Sequence, residues 1–267
     1  MNPNRDSNAE SIISPERSSS SDNFIEKVSL MKIGILGGTG NMGRGLTIRW
    51  ALKHDILVGS RSLDKARLIA KEQENVARGF YQADFKGSIK GALNSEAVVQ
   101  SDIVVVTLPA EAVVPAMKEL KRHLQPNQII VSTVVSMKKS KGLFVYTPLS
   151  EVARERQEKS AAEVIQEIVN PVPVVSAFQT VPATYLNNID SVMNIDVLVA
   201  SNHNQAFALA SKLISDIPNL RPLKVGPLEN SKLIESLTPL LLNAAILNNL
   251  QDPSIRVVPW MPASFEE

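Results

Sequence analysis

Gly38-Thr39-Gly40-Asn41-Met42-Gly43 has the spacing G-x-G-x-x-G, and it stands directly after a short apolar run and at the start of a helical pattern. That context gives the spacing meaning. A strand turning sharply into a helix leaves unpaired backbone N–H groups and a partial positive charge at the turn, which suits a pyrophosphate. Gly38 is expected to allow the tight turn, Gly40 to let a phosphate approach the backbone, and Gly43 to let the helix pack on the strand. The chemistry implied is dinucleotide binding. Which dinucleotide is decided at the end of the next strand, where an acid binds the ribose hydroxyls of NAD. This chain has Gly59-Ser60-Arg61 there, with Lys65 one helical turn further on. A guanidinium pairs bidentately with a 2′-phosphate and a hydroxyl donates to it, whereas a carboxylate repels it. Ser60, Arg61 and Lys65 therefore point to NADP(H). Asp64 falls past the strand end, in the first turn of a helix, where an acid is favoured anyway.

The elements that must position these residues alternate. Short β-branched runs at 32–37, 55–59, 102–108 and 128–132 are separated by helical patterns at 41–53, 63–74 and 111–123. The runs at 102–108 and 128–132 are apolar throughout, as in strands buried on both faces. This is the pattern of βαβ units, and the expected fold class is α/β: a Rossmann-type doubly wound parallel sheet with a smaller C-terminal domain. The expected division is a disordered tail at 1–30, an NADP-binding domain at 31–180 and a small C-terminal domain at 181–267. The tail is rich in serine and has no hydrophobic period. Leu108-Pro109 ends the strand from Asp102 beside the expected switch point, where the proline either shapes a pocket or only stops the strand. Residues 136–158 read as a polar loop with Lys138, Lys139 and Lys141. The rest reads as a helix to Val169, strands at 172–177, 195–200 and 220–225, a helix at 204–214, and a long apolar helix from Ser231 to Leu250 in which Pro239 is expected to make a kink.

Composition excludes several classes. The 267 residues carry 28 Lys+Arg against 27 Asp+Glu, a formal charge of +1, so there is no basic excess for nucleic acid. No cysteine is present, which removes disulfides, thiolate metal sites, iron–sulfur clusters and cysteine nucleophiles, and fits a reducing compartment. No uncharged apolar run approaches the ~20 residues of a membrane span, and the first residues are too polar for a signal peptide. The expectation is a cytoplasmic protein. His54, His123 and His203 sit in polar or turn contexts and are expected at the surface. No Ser–His–Asp arrangement or metal-ligand cluster stands out.

Longer stretches carry a resemblance. Gly34 to Leu46 with Val58-Gly59-Ser60-Arg61, Ser160-Ala161-Ala162-Glu163, Val174 to Ala177, Thr180-Val181-Pro182-Ala183, and the run from Leu220 through Asn230-Ser231 to Asn243 are similar to the NADPH-dependent reductases of the deazaflavin coenzyme F420. The likeness covers about 31–255. It implies hydride transfer between C5 of the deazaflavin and C4 of the nicotinamide, a reaction in which positioning dominates over acid–base work. It implies a dinucleotide side made of Thr39, Gly40, Asn41, Met42, Ser60, Arg61 and Lys65. Pro109, Val135, Gln179, Thr180, Pro182 and Ala183 would lie near the rings, and Leu242 with the segment near Ile255 would close the pocket. No firm catalytic residue emerges, and Gln179 is the nearest candidate. Departures fall in the deazaflavin half: Ala110 where the family has an aromatic, Gln179 where it has a histidine, and Thr133 where it has a proline. Gln179 can still donate a hydrogen bond to a ring carbonyl, but it cannot carry charge. The lysines at 138, 139 and 141 would either attract the anionic coenzyme or simply be solvated. Two other readings stay open: an NADP-dependent reductase of another acceptor (a flavin, a chelated metal, an imine or keto group), or a non-catalytic NADP sensor. The long apolar helix suggests a homodimer.

Overall fold

Lys32–Leu36 (β1) is a β-branched run that ends in two glycines, so the strand stops where the backbone must turn. In the computed structural model, which describes residues 30–149 and 158–258, it lies near the middle of a parallel sheet. Asn41–Trp50 (α1) leads to Asp55–Ser60 (β2), and Leu63–Tyr81 (α2) to Ser88–Leu93 (β3). Asn94–Val99 (α3) leads to Ile103–Val106 (β4), and Ala110–Leu120 (α4) to Ile129–Ser132 (β5). A hairpin of Met137–Ser140 (β6) and Leu143–Tyr146 (β7) follows, then Ala161–Val169 (α5) and Val174–Ser176 (β8). The sheet order is β3-β2-β1-β4-β5-β8, all parallel. The order reverses between β1 and β4, which opens a crevice at the carboxyl edge.

Alternation along the strands builds two cores. Ile33, Ile35, Ile103 and Val105 join one apolar cluster; Leu36, Val104 and Val106 join the other. The first cluster takes the buried stripe of α1, and the second takes α4 and α5.

The chain then runs through Ala183–Asn187 (α6), Ile195–Val199 (β9), Asn204–Ser215 (α7), Leu220–Lys224 (β10) and Ser231–Asn248 (α8). β9 and β10 pair in parallel, and an antiparallel bridge from Ser176 to Ala200 attaches them to β8. Their apolar residues share the first cluster, where the Trp50 indole donates to the Leu213 carbonyl at 2.9 Å. α8 is one continuous helix through Pro239, which lies on its buried face.

Several elements were not expected. β3 and α3 occupy a stretch without a clear period, and the polar lysine segment begins as a hairpin rather than a loop. Lys141 and Gly142, with φ of +50° and +87°, make its tight turn. His54 is a correction: it is 1% exposed, not superficial. Its Nδ1 accepts from the Met31 N–H at 3.3 Å, and Nε2 lies 3.0 Å from Asp216 Oδ2 just past α7. The expected tail lies outside the described residues except for Leu30. Among the described residues no helix is long and apolar enough to cross a membrane.

Candidate functional site

The glycine turn follows β1 at the crevice. Gly37, not Gly38, takes the left-handed conformation, with φ of +79°. The expected role for Gly38 is therefore corrected: a Cβ there would lie 3.0 Å from the Ile35 carbonyl and 3.1 Å from Val58 Cγ1, so the glycine serves tight packing on β1 and β2. At Gly43 a Cβ would stand 2.6 Å from the Gly38 Cα, which agrees with its expected packing role. Gly40 differs. A Cβ there would meet nothing nearer than the Gly37 carbonyl at 3.4 Å, so the protein's own packing does not require a glycine. Gly40 is also the N-cap of α1, which has no side-chain cap and no acid in its first turn. The helix therefore ends in uncapped N–H groups beside open space, which is what an incoming anion needs. Thr39 and Met42 are half-buried around this turn, and Asn41 is exposed.

Gln73, missed in the sequence, locks the turn from below: its buried Nε2 donates to the Gly38 carbonyl at 3.2 Å. It shares the buried face of α2 with Ala66, Ala70 and Ala77. A lone amide in a stripe of alanines was the available signal.

At the end of β2, Ser60 Oγ accepts from the Ser62 N–H, and Ser62 in turn caps α2. Arg61 and Lys65 are exposed, and neither side chain makes a hydrogen bond or ion pair among the described residues. Asp64 binds neither of them. Two unneutralised cations beside a hydroxyl fit a phosphate group.

Across the switch point, Pro109 is exposed as the N-cap of α4, and Val135 is half-buried beyond β5. Thr133 uses both its N–H and its hydroxyl on the Val106 carbonyl, each at 3.1 Å. A proline there could make neither bond. After β8 the backbone is strained: Phe178 has φ of +74° and is held edge-on against Trp50 at 5.6 Å. Such a conformation costs a bulky residue about 1–3 kcal/mol and persists only where packing imposes it. It turns the chain into Gln179 and Thr180. Gln179 Nε2 donates to the Ser132 carbonyl and to Ser176 Oγ, both at 2.9 Å. Both amide hydrogens are thus committed within the protein, which leaves none for a ring carbonyl in this arrangement. Gln179 instead ties the end of β5 to the turn after β8, and its Oε1 is buried without a partner.

α8 and the C-terminal strap support this turn. Thr238 donates to the Gln179 carbonyl at 2.8 Å, and Leu242 lies one helical turn further along α8. Asn243 brackets Phe144 of the hairpin, receiving its N–H and donating to its carbonyl at 2.7 and 2.8 Å. The hairpin, with Lys138, Lys139 and Lys141 exposed, is thereby seated on α8. Ser254 donates to the Thr180 carbonyl at 2.7 Å. Ile255 accepts from the Asp196 N–H at 2.9 Å, so the strap runs beside β9. There Ile255 lines a cavity of about 300 Å³ with Tyr185, Met193 and Pro253. No group of three or more potential metal ligands occurs among the described residues.

The expected site residues thus fall at the carboxyl ends of the sheet strands, on the turns that continue them and in the first turns of α1, α2 and α6, while Leu242 lies on α8 and Ile255 on the segment beside β9. The model of the family "NADP oxidoreductase coenzyme F420-dependent" matches residues 32–136. The F420-dependent NADP reductase of Methanocaldococcus jannaschii is 33% identical over 231 residues, 85% of this chain and 98% of that one. That of Methanothermobacter marburgensis is 34% identical over 230 residues, again 85% and 98%. A solved structure from Arthrobacter sp. FB24 superposes with a TM-score of 0.67 at 19% identity, covering 85% of this chain and 99% of that one. Glycerol-3-phosphate dehydrogenase of Coxiella burnetii shares the fold with a TM-score of 0.51 at 18% identity, over 73% of this chain and 53% of its own. The structures speak for a Rossmann-like fold, and the relatives, similar along nearly their whole length, place the chain in the family of F420-dependent NADP reductases.

Proposed function

We propose that the protein transfers a hydride between NADP(H) and coenzyme F420, with both bound across the carboxyl edge of the sheet. One observation carries the reading: the uncapped helix N-terminus at Gly40 lies one strand away from the unneutralised Arg61 and Lys65, in a chain of this family. When bound, the nicotinamide and the deazaflavin supply the chemistry, a hydride passing between C4 of one and C5 of the other. The residues bind and orient. Gly38, Thr39, Gly40, Asn41, Met42 and Gly43 would receive the pyrophosphate, and Ser60, Arg61 and Lys65 the 2′-phosphate. Pro109, Val135, Ala183 and Leu242 would offer carbon surfaces that exclude water from the ring contact. Gln179 would fix the turn through Thr180 and Pro182 that faces the second substrate. Hydride transfer needs no proton-transfer group at the two reacting carbons, so the residues serve by positioning.

The chain works as two functional parts, 31–180 for NADP(H) and 181–267 for closing the coenzyme pocket. A homodimer through α8 is supported by its exposed leucines. The cysteine-free composition accords with a cytoplasmic enzyme.

Purified protein mixed with NADPH and oxidised coenzyme should bleach the coenzyme's visible absorption. NADPH binding with reduction of a different acceptor but no bleaching would overturn F420 as the substrate. Binding without turnover on any acceptor would overturn the enzyme reading.

A further inference from the structure

The helix that would receive the NADP pyrophosphate is bolted to the helix that begins at Ala183, through Gly45, Arg49 and Asn187. α1 and α6 meet backbone to backbone at Gly45. A Cβ there would lie 2.5 Å from Leu186 Cβ, 3.1 Å from the Leu186 carbonyl carbon and 3.2 Å from the Asn187 nitrogen, so any side chain drives the helices apart. Arg49, one turn further along α1, is 7% exposed, and its guanidinium is spent on α6. Nε donates to the Leu186 carbonyl at 3.1 Å, and Nη2 to those of Tyr185 at 2.9 Å and Asn188 at 2.8 Å. The Tyr185 and Leu186 carbonyls have no backbone donor among the described residues, the Asn188 carbonyl is shared with the Ser191 N–H at 3.0 Å, and a cation at a helix C-terminus is well placed electrostatically. Asn187 closes the junction: its Nδ2 donates to the carbonyls of Asn41 at 2.9 Å and Ala183 at 2.7 Å, joining the first residue of α1 to the first residue of α6.

We propose that Gly45, Arg49 and Asn187 are positioning residues that set the distance between the nicotinamide and the second substrate. The inference rests on the NADP and F420 reading above. α1 carries the frame of one substrate and the Pro182-Ala183 start of α6 the frame of the other, so the α1–α6 spacing is inherited by the two rings. Hydride transfer is steeply sensitive to that spacing, and a misplacement of ~1 Å costs on the order of 10²-fold in rate.

The test uses the full chain with Gly45→Ala, Arg49→Lys and Asn187→Ala. Gly79→Ala serves as the control, because a Cβ at that exposed position of α2 would meet nothing within 4 Å. A lysine cannot reproduce the guanidinium's fork, so Arg49→Lys disturbs the junction without removing the charge. The readouts are the NADPH dissociation constant, the single-turnover rate of coenzyme reduction per folded enzyme, and the primary isotope effect with NADPH deuterated at the transferred position. The junction variants should hold the NADPH constant within about two-fold, lower the transfer rate by about ten-fold or more and raise the isotope effect, while the control matches wild type. Should Gly45→Ala fail to fold, Arg49→Lys decides. Unchanged rate and isotope effect in the folded junction variants, or a loss that follows NADPH affinity, would overturn the proposal alone. A wild-type enzyme that binds NADPH but does not reduce the coenzyme would overturn the underlying reading, and this proposal with it.

Discussion

Glu235 on α8 accepts a hydrogen bond from the backbone nitrogen of Ala161 at 3.0 Å, placing a buried carboxylate on the N-terminus of α5. The next N–H, of Ala162, reaches its other oxygen at 3.1 Å, and Ser160 and Ser231 bond beside it at 2.6 Å. This junction holds α8, and through Thr238 the Gln179 turn, against the sheet.

Burial pushes Glu235 up to about 7 from 4.5, despite the two N–H bonds that favour its charge, and the neighbouring Glu163 adds to the rise. A carboxyl whose folded pKa is raised binds its proton more tightly in the folded state. Its stabilising effect is fully present below about pH 4.5 and is lost as pH rises through 7. The melting temperature of wild type should therefore fall between pH 5 and pH 8 more steeply than that of Glu235→Gln, which cannot ionise. Parallel profiles for the two proteins would rule this out.

The Arg61 and Lys65 side chains make no hydrogen bond or ion pair among the described residues, so their removal should cost little stability and much affinity. A charge-assisted hydrogen bond contributes about 1.5–3 kcal/mol, so Arg61→Ala should weaken NADP(H) binding by roughly 10- to 100-fold, and Arg61→Asp by more. NAD(H) binding should be nearly unchanged, since it has no phosphate to lose. Titrating both nucleotides against both variants checks this. Equal losses for the two nucleotides would place Arg61 elsewhere in the site.

Asp196 is wholly buried, and Arg221 grips it at 2.8 and 2.7 Å while the Val257 N–H reaches it at 2.6 Å. Burial raises its pKa, but the bonds from Arg221 and Val257 outweigh that and hold it below the ordinary carboxylate range. The resulting stability is present above the unfolded value and is lost as pH falls through the folded one. Breaking a buried ion pair on one side costs about 3–5 kcal/mol. Asp196→Asn should destabilise at the lower end of that range, because Arg221 is partly exposed, and it should free the strap. Hydrogen-exchange protection at Val257 would be lost in the variant and, in wild type, only as the pH falls through the depressed folded value of Asp196. Protection that persists in the variant would refute the clamp.

The legible parts of this molecule were local. The glycine spacing, the basic end of β2 and the apolar runs of β4 and β5 all depend on neighbours in sequence, and the structure has them where the periodicity put them. What stayed hidden depends on distant partners. His54 is buried because Asp216, far along the chain, comes to meet it. β3 is an edge strand that pairs only with β2, so it carries the polar Ser88 and Lys90, and its Gly91 has no room for a Cβ against Ala66. Neither feature leaves a hydrophobic period. The left-handed Phe178 has no local signature either, since its ring packs edge-on against Trp50, far away in the sequence. The left-handed turn falls at Gly37 rather than Gly38, and spacing counts glycines without saying which one turns.

Leu233, Leu240 and Leu247 recur every seven residues along α8, and all are more than 60% exposed. That interval keeps them on one face of the helix, where Ile246 and Leu250 extend the apolar surface and Val145 of the hairpin is exposed as well. Scattered exposed leucines need no explanation, but an aligned stripe on one helix marks a contact surface. A two-fold dimer would set this stripe against its own copy. The 29.1 kDa chain should therefore sediment at twice its mass at micromolar concentration. Leu240→Glu, which buries an unpaired charge in the contact but is solvated in a monomer, should sediment as a single chain with its melting temperature less affected than its assembly. A monomeric wild type, or a Leu240→Glu variant that stays dimeric, would show that the copies do not meet on this face.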